Sequence, residues 1–127
     1  MRKGFTLLEM IVVIIIVGIL ATLGFSQYGS YREKVVDKEA QANLKLIQAA
    51  ERIYRMEYGF YYPYQQSATA AQINDMLRLT LPTKNWNYTA TGDDNTFNAD
   101  ADRKMVPKTY YWRINQTVED AFQKPKR

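Results

Sequence analysis

The sequence predicts an α+β fold in which one long N-terminal helix packs on a small antiparallel sheet of three strands. Residues 5–25 are mostly apolar and carry one charged side chain, Glu9, and residues 27–58 carry apolar side chains at steps of three and four without a proline. After residue 85, short segments rich in strand-forming residues are separated by turn residues. A chain of 127 residues has room for one domain.

The apolar segment 5–25 is long enough to cross a membrane. At 1.5 Å per residue it forms a helix of ~31 Å, about the thickness of the hydrocarbon core of a bilayer. A secretory signal peptide would place a small-residue cleavage site after such a stretch, and Ala21, Thr22 and Gly24 form only a weak site. The segment is therefore predicted to span the membrane as a helix.

A short basic leader joins the apolar segment through the hexapeptide Gly-Phe-Thr-Leu-Leu-Glu at residues 4–9. In this hexapeptide the chain resembles the type IV pilins and the type II secretion pseudopilins, whose prepilin peptidase cuts between Gly and Phe and methylates the new amine. The resemblance implies a type IV pilin-like fold, cleavage between Gly4 and Phe5, N-methylation of Phe5, and a role for Glu9 in assembly.

Glu9 also calls for an explanation on physical grounds. A carboxylate inside a membrane span is costly, so it is usually paired and functional. Cleavage after Gly4 would create a cationic amine on Phe5 at the positive end of the helix. A neighbouring subunit shifted along the axis could place its Phe5 amine against Glu9 and neutralise both charges. The alternative is an interfacial carboxylate near the end of a single-pass anchor, with no role in assembly.

These features divide the chain into four parts. We predict a cleaved leader at 1–4, a membrane-spanning or filament-core half of the helix at 5–26, an amphipathic half at 27–59 and a globular head at 60–127. Arg2 and Lys3 before the span favour a cytoplasmic leader and an extracytoplasmic head. The formal charge of +4 comes from 17 basic and 13 acidic residues, and loss of Arg2 and Lys3 leaves 15 against 13, or +2. That balance predicts no nucleic-acid partner for the isolated subunit.

The amphipathic half has an apolar and a basic face. A helix over residues 5–58 would be ~81 Å long, more than a small domain can bury, so its apolar first half must lie in a membrane or among copies of itself. The basic face either meets acidic groups such as Glu33, Asp37 or Glu39 of adjacent subunits or is solvated, and solvation is favoured. The apolar positions are Val36, Ala40, Leu44, Ile47, Ala50, Tyr54 and Tyr58, and the opposite positions are Lys34, Lys38, Gln41, Lys45, Gln48, Arg52 and Arg55.

Gly18 and Gly24 mark a possible flexible stretch of the helix. Each glycine weakens a helix by about 1 kcal/mol relative to alanine. Pilins often have a glycine near Gly18 and a proline several residues later, bounding a stretch that loses helicity in the filament, and Ser26 stands near the expected place of that proline. Local melting and close helix packing through small residues both remain open.

The long helix is predicted to end at Gly59, which suits a left-handed cap, and Pro63 forbids its resumption. Pilins leave their helix through a similar Gly-x-Tyr-Pro passage. The surrounding tyrosines suggest a conductive filament, but packing of the joint between helix and head is the stronger interpretation. The aromatic residues at the joint are Tyr54, Tyr58, Phe60, Tyr61, Tyr62 and Tyr64.

The head is predicted to contain a short helix and three strands. Thr69 and Gln72 suit a capping box, and Ile73, Met76 and Leu77 are its expected inward face. Strands are predicted at 86–91, 96–103 and 109–116. Their expected inward side chains are Phe97, Ala99 and Ala101 in the second strand and Tyr110, Trp112 and Ile114 in the third.

The head offers little chemistry. The chain has no histidine or cysteine, which excludes an imidazole base, a thiolate nucleophile, a zinc set and the C-terminal disulfide of many major pilins. Asp93, Asp94, Asp100 and Asp102 are weak candidates for a calcium site and match no EF-hand loop. We therefore predict no catalytic residues, no cofactor other than possible calcium, and no enzymatic activity.

The expected function is that of a structural subunit of a bacterial type IV pilus, serving adhesion, motility or DNA uptake. Its implied partners are identical subunits, the prepilin peptidase, an inner-membrane platform protein with its ATPase, and membrane lipid before assembly. The precursor is expected in the inner membrane and the product in an extracellular pilus or a periplasmic pseudopilus. One alternative is a secretion pseudopilin acting as a piston, disfavoured because the head lacks an Asp-Pro-Trp-Gly-like stretch. Another is a single-pass anchored binding domain that never polymerises.

Overall fold

The computed structural model describes residues 4–105 and 108–126, and Arg2 and Lys3 of the leader lie outside the described residues. Helix α1 (Leu7–Tyr58) is followed by strand β1 (Ser67–Thr69), helix α2 (Ala70–Met76) and strands β2 (Trp86–Gly92), β3 (Phe97–Arg103), β4 (Tyr110–Asn115) and β5 (Phe122–Pro125). The strands form one antiparallel sheet in sequence order. The predicted α+β fold with a long N-terminal helix is confirmed.

The long helix has 52 residues and begins at Leu7, two residues later than predicted. The chain is divided into two compact units, with the boundary between Val35 and Val36. In the first unit, the apolar side chains of the helix are exposed. The helix is continuous through Gly18 and Gly24, and its melting in an assembled filament stays a prediction.

The second unit has its own hydrophobic core, built where α1 packs on the sheet. Ala40, Leu44 and Ile47 of α1 are fully buried, as the helical period predicts. The inward side chains of the three central strands alternate with exposed or half-exposed ones. The buried side chains of these strands are Trp86, Tyr88, Ala90, Phe97, Ala99, Ala101, Trp112 and Ile114.

The sheet has five strands, so the prediction of three was wrong at both edges. Strand β1 has only three residues, and it leads directly into the capping box of α2. Strand β5 reads Phe-Gln-Lys-Pro, a sequence that lacks a β-branched residue and ends in proline. Short strands with lysine and proline are typical of sheet edges, where they discourage further pairing, and they carry a weak strand signal.

Helix α2 begins as predicted and has a different inward face. The backbone N–H of Thr69 donates to Gln72 Oε1 at 2.9 Å, which confirms the capping box. Ile73 and Leu77 are buried, but Met76 is 46% exposed, so its predicted inward position was wrong. Met76 is the last residue of the helix, and Leu77 follows it as the C-cap.

The predicted solvated face of α1 is partly buried. The Gln48 side chain donates from Nε2 to the backbone carbonyls of Asn115 and Val118, both at 2.7 Å. It therefore fixes the connection between β4 and β5 on the helix. Asp37, predicted as a possible partner of adjacent subunits, binds Lys108 Nζ at 2.8 Å in its own chain. Lys34, Lys38 and Arg52 of that face are exposed, as predicted.

The exit from α1 follows the predicted pattern. Gly59 has φ +89°, and its N–H donates to the carbonyl of Arg55 at 2.8 Å. The aromatic rings after it pack together, with Tyr54 and Tyr58 stacked at 4.4 Å between centroids and Tyr61 5.0 Å from Phe97 in the core. The rings thus pack the joint, as the favoured interpretation predicts.

We expect Gly92→Ala to destabilise the head by about 2 kcal/mol, because overpacking a rigid contact costs roughly 1 to 3 kcal/mol. A Cβ at Gly92 would lie 2.8 Å from the backbone oxygen of Tyr61, in the segment that the N–H of Gly92 also binds through Pro63 at 3.1 Å. Urea unfolding followed by tryptophan fluorescence measures the change. Gly29→Ala, whose Cβ would meet nothing within 4 Å, is the control. Equal stability of Gly92→Ala and the parent would contradict this close approach.

Candidate processing and assembly site

The Gly4–Phe5 bond lies just before the first turn of α1, outside regular structure. Phe5 is 79% exposed, and a Cβ at Gly4 would meet nothing within 4 Å. No helical hydrogen bond has to open before a peptidase reaches this bond. The geometry is therefore compatible with the cleavage predicted from the sequence.

Thr6 and Glu9 form a reciprocal cap at the beginning of α1. Glu9 Oε2 accepts the backbone N–H of Thr6 at 2.7 Å and its hydroxyl at 2.9 Å, and Thr6 Oγ1 accepts the backbone N–H of Glu9 at 3.2 Å. This is a capping box, in which two donors of the first turn are satisfied by side chains. The Thr-x-x-Glu spacing is its ordinary sequence signal, which our sequence analysis missed.

The cap gives Glu9 a local partner but uses only part of the hydrogen-bond acceptor capacity of its carboxylate. An ionised carboxylate has about four acceptor positions, and the two hydrogen bonds from Thr6 both go to Oε2. The Glu9 carboxylate can therefore also accept a hydrogen bond from a charged donor of another chain. Capping by Thr6 and pairing with an external cation are thus compatible roles for Glu9.

The first half of the helix that follows, from Met10 to Phe25, presents an apolar surface on all sides. Within the described residues, α1 is the one helix that is long and apolar enough to cross a membrane, by length and composition. Gly18 and Gly24 lie on it with open space around both Cα atoms, and Thr22 Oγ1 donates to the carbonyl of Gly18 at 2.8 Å. A surface of this kind must be covered by lipid or by other apolar chains.

The calcium candidates do not form one site. Asp100 binds Arg113 at 2.6 Å, and Asp102 pairs with Lys126. Asp93 caps its own turn by accepting the backbone N–H of Thr96 at 2.7 Å. Within residues 4–105 and 108–126, no group of three or more acidic side chains is placed to hold a metal ion.

Glu51 is a buried carboxyl that our sequence analysis did not single out. It is fully buried, and its Oε2 accepts the backbone N–H of Tyr62 at 2.9 Å. Burial raises the pKa of this carboxyl to about 7, and the hydrogen bond from Tyr62 opposes the shift. The sequence did contain a signal for its burial. Position 51 lies four residues after Ile47 and three before Tyr54, on the same apolar face of the helix.

Comparison with known proteins matches the N-terminal segment to one family model. Residues 1–25 fit the model of the prokaryotic N-terminal methylation motif. This match covers the leader, the hexapeptide and the apolar run. It shows that the motif identified in the sequence is that of a methylated prokaryotic N-terminus.

Curated relatives extend the similarity into the head. The chain is 36% identical over 86 residues to the type II secretion system core protein G of Pseudomonas aeruginosa, covering 68% of this chain and 59% of that protein. It is 30% identical over 91 residues to core protein G of Escherichia coli, covering 72% and 60%. It is 32% identical over 56 residues to the type IV major pilin PilA of Myxococcus xanthus, covering 44% and 26%.

The chain thus spans at most 60% of the length of these three relatives. No solved structure matched it.

Proposed function

This chain belongs to the family of type IV pilins and type II secretion pseudopilins, and from that premise we propose that it is a structural subunit of a helical filament. In this proposal it is cut between Gly4 and Phe5, methylated on the Phe5 amine and assembled through α1. The precursor is held in the inner membrane by the apolar half of the helix.

The arrangement of the first turn supports this proposal best. The capping box of Thr6 and Glu9 starts an exposed apolar helix two residues after the Gly4–Phe5 bond. An ordinary membrane anchor has no need of a carboxylate in its span, since a cap outside the hydrocarbon would serve the helix equally well. The position of Glu9 inside the apolar run favours a second partner, which we propose to be the Phe5 amine of the adjacent subunit.

Assembly would exchange one apolar environment for another. In the membrane the first half of α1 contacts lipid, and in the filament it would contact the same half of neighbouring subunits. A heterologous interface that does not close generates an open helix, so one apolar helix per subunit is enough to build a fibre. The Glu9 pairing would then set the axial register, because each Phe5 amine has one matching carboxylate.

The finer assignment is a type IV pilus, with a secretion pseudopilus as the second candidate. The pilus is favoured by the head, which lacks the Asp-Pro-Trp-Gly-like stretch associated with the major pseudopilin. The pseudopilus is favoured by the alignments, since two core G proteins align over 68% and 72% of this chain and the pilin over 44%. Either filament would require a prepilin peptidase, a platform protein and an ATPase.

The N-terminal peptide of the native protein tests processing and destination together. We expect a peptide that begins at methylated Phe5, measured by mass spectrometry in the membrane fraction and in material sheared from the cell surface. Abundance in the sheared fraction supports a pilus subunit, and confinement to the membrane and periplasm supports a pseudopilin. An intact Met1 in every fraction would overturn the proposal and leave an uncleaved anchor.

A further inference from the structure

Four aromatic side chains line a cavity of about 260 Å³ beside the C-terminal end of α1. We call it the aromatic cavity. Among the described residues that line it, the remaining side chains are neutral. The aromatic lining residues are Tyr54, Phe60, Tyr62 and Tyr64, and the others are Pro63, Gln66, Ser67, Ala68 and Gln72.

The rings stand at steep angles to one another. The Tyr54 ring is 5.9 Å from Phe60 at 70° and 5.7 Å from Tyr62 at 60°, measured between centroids and ring planes. Phe60 and Tyr64 are 5.0 Å apart at 62°. Rings at such angles form walls of different orientation instead of one parallel stack. The negative faces of aromatic rings are the surfaces that attract cations.

The walls are held by hydrogen bonds from their backbone. Tyr62 donates its N–H to Glu51, and Gln65 donates its N–H to the carbonyl of Gly92 at 2.8 Å. The Tyr64 hydroxyl lies 3.4 Å from Asp94 Oδ2. The segment that carries three of the rings is therefore fixed on α1 and β2. A preformed cavity of this kind loses little conformational entropy when it binds a ligand.

The charges behind the walls are carboxylates. Burial raises the pKa of the Tyr54 hydroxyl, and repulsion from Tyr58, Tyr62, Glu51 and Glu57 adds to the shift. Burial likewise raises the pKa of Tyr62, with further repulsion from Asp75 and Glu51. Because the pKa of Glu51 is about 7, this carboxyl is largely protonated below neutral pH, and the negative charge that acts on these two rings comes mainly from Glu57 and Asp75.

Two basic side chains of this part of the head lie outside the lining of the aromatic cavity. Arg55 lies over the ring of Tyr61 at 4.9 Å, and its Nη2 is 3.3 Å from Asn95 Oδ1. Arg78 lines a separate cavity between the end of α1 and the end of α2. Neither residue lines the aromatic cavity, so no basic side chain among its described walls occupies the place of a cation.

We propose that the aromatic cavity binds a small organic ammonium ion, with the quaternary ammonium group as the best-fitting chemistry. Such a group is weakly hydrated and gains from several aromatic faces, whereas small metal ions keep their water and demand oxygen ligands. The nearby carboxylates Glu57 and Asp75 disfavour an anion in this cavity. The volume is below the ~300 to 1,000 Å³ of ordinary ligand pockets, which suits a headgroup-sized cation.

Choline and its neutral isostere 3,3-dimethylbutan-1-ol test the proposal. We expect choline to shift the amide NMR signals of Tyr62 and Tyr64 in the full chain, held in an uncharged maltoside detergent. The shifts should saturate at one choline per chain, with a dissociation constant on the order of 1 mM, because open cation–π sites are weak. The neutral alcohol should bind about tenfold more weakly. Equal binding of the two, or no saturation with choline, would overturn the proposal.

Two sets of variants distinguish the contribution of the aromatic rings to choline binding from that of the nearby carboxylates. Tyr64→Ala removes an exposed wall and should weaken choline binding about fivefold, while Tyr31→Ala, an exposed ring in the first unit, should leave it unchanged. The double change Glu57→Gln and Asp75→Asn should weaken choline about threefold and spare the alcohol. Glu119→Gln, which removes one exposed carboxylate outside the lining of the cavity, is the control for a general loss of negative charge. Unchanged choline affinity in both Tyr64→Ala and the double variant would refute the assignment.

Discussion

Replacing Glu9 with glutamine is expected to abolish filament formation while α1 still begins at Leu7. Glutamine is accepted at the third position of a capping box, so it keeps an acceptor for the N–H and hydroxyl of Thr6. It removes the negative charge. If the charge neutralises the Phe5 amine of a neighbour, sheared filament should fall at least about tenfold, because an uncompensated cation in an apolar core is strongly unfavourable.

The matched variant is Thr6→Val, which removes the hydroxyl partner of the cap and keeps the Glu9 charge. The hydroxyl gives one hydrogen bond to Glu9 and accepts one from its backbone, so the first turn loses about 1 kcal/mol of capping. We expect fraying of the first turn and only a modest loss of filament. The two variants therefore separate the local role of Glu9 from its proposed role between subunits.

Immunoblots of sheared and membrane fractions measure the outcome, with N-terminal mass spectrometry to show that each variant is still cleaved and methylated. Normal filament from Glu9→Gln would show that the cap alone explains this carboxylate. A chain that accumulates uncleaved would instead assign Glu9 to recognition by the peptidase. The first result would contradict the pairing between subunits, whereas the second would explain the loss of filament by failed cleavage.

The long helix was predictable because it depends on local and periodic signals. An uninterrupted apolar run, the step of three and four residues from Val36 to Tyr58, and the glycine at the end each act within a few residues of chain. The central strands were predictable for the same reason. Their alternation of small or aromatic side chains with polar ones matches the period of a half-buried sheet.

The edges of the sheet and the polar contacts of the core were not predictable in this way. Strand β5 exists because its backbone pairs with β4, so its own residues carry little strand signal. Gln48 is buried by carbonyls 67 and 70 residues away in the chain. Such contacts depend on tertiary packing, which overrides the local preference of a polar side chain for water.

The residues of the candidate sites also differ in whether local sequence signals predicted them. Gly4, Phe5 and Glu9 came from the sequence because the hexapeptide is contiguous. The calcium candidates came from composition alone, and in the structure Asp100 pairs with Arg113 on β4 while Asp102 pairs with Lys126, which follows β5. Glu51 was missed because an acidic residue between lysines and arginines on a helix ordinarily faces solvent.

The stability of the head is expected to fall as pH rises from 5 to 7, because of Glu51. Its pKa is about 7 in the folded chain and near 4.5 when unfolded, and burial is the main cause. Between these values the folded chain holds a proton that the unfolded chain has lost. The free energy of unfolding therefore decreases through this window and levels off above pH 7, with a total change of about 3 kcal/mol.

The composition of this chain makes the pH dependence of its unfolding free energy easy to assign to Glu51. It has no histidine or cysteine, so no other side chain type titrates near neutrality in its ordinary state. The raised pKa values of Tyr54 and Tyr62 move those hydroxyls further from the window. Both tryptophans, Trp86 and Trp112, are buried in the second unit, so their fluorescence reports the unfolding of the head.

Glu51→Gln should remove the dependence of the unfolding free energy on pH. Glutamine keeps an acceptor for the N–H of Tyr62 and cannot ionise, so urea unfolding of the full chain in detergent should give nearly equal free energies at pH 5, 6, 7 and 8. Glu57→Gln, an exposed carboxylate six residues along the same helix, should retain the parental slope. If the parent itself shows no slope, Glu51 is ionised in the folded head. Its buried Oε1, which has no hydrogen-bond partner among the described residues, would then need a cation or water that balances the charge.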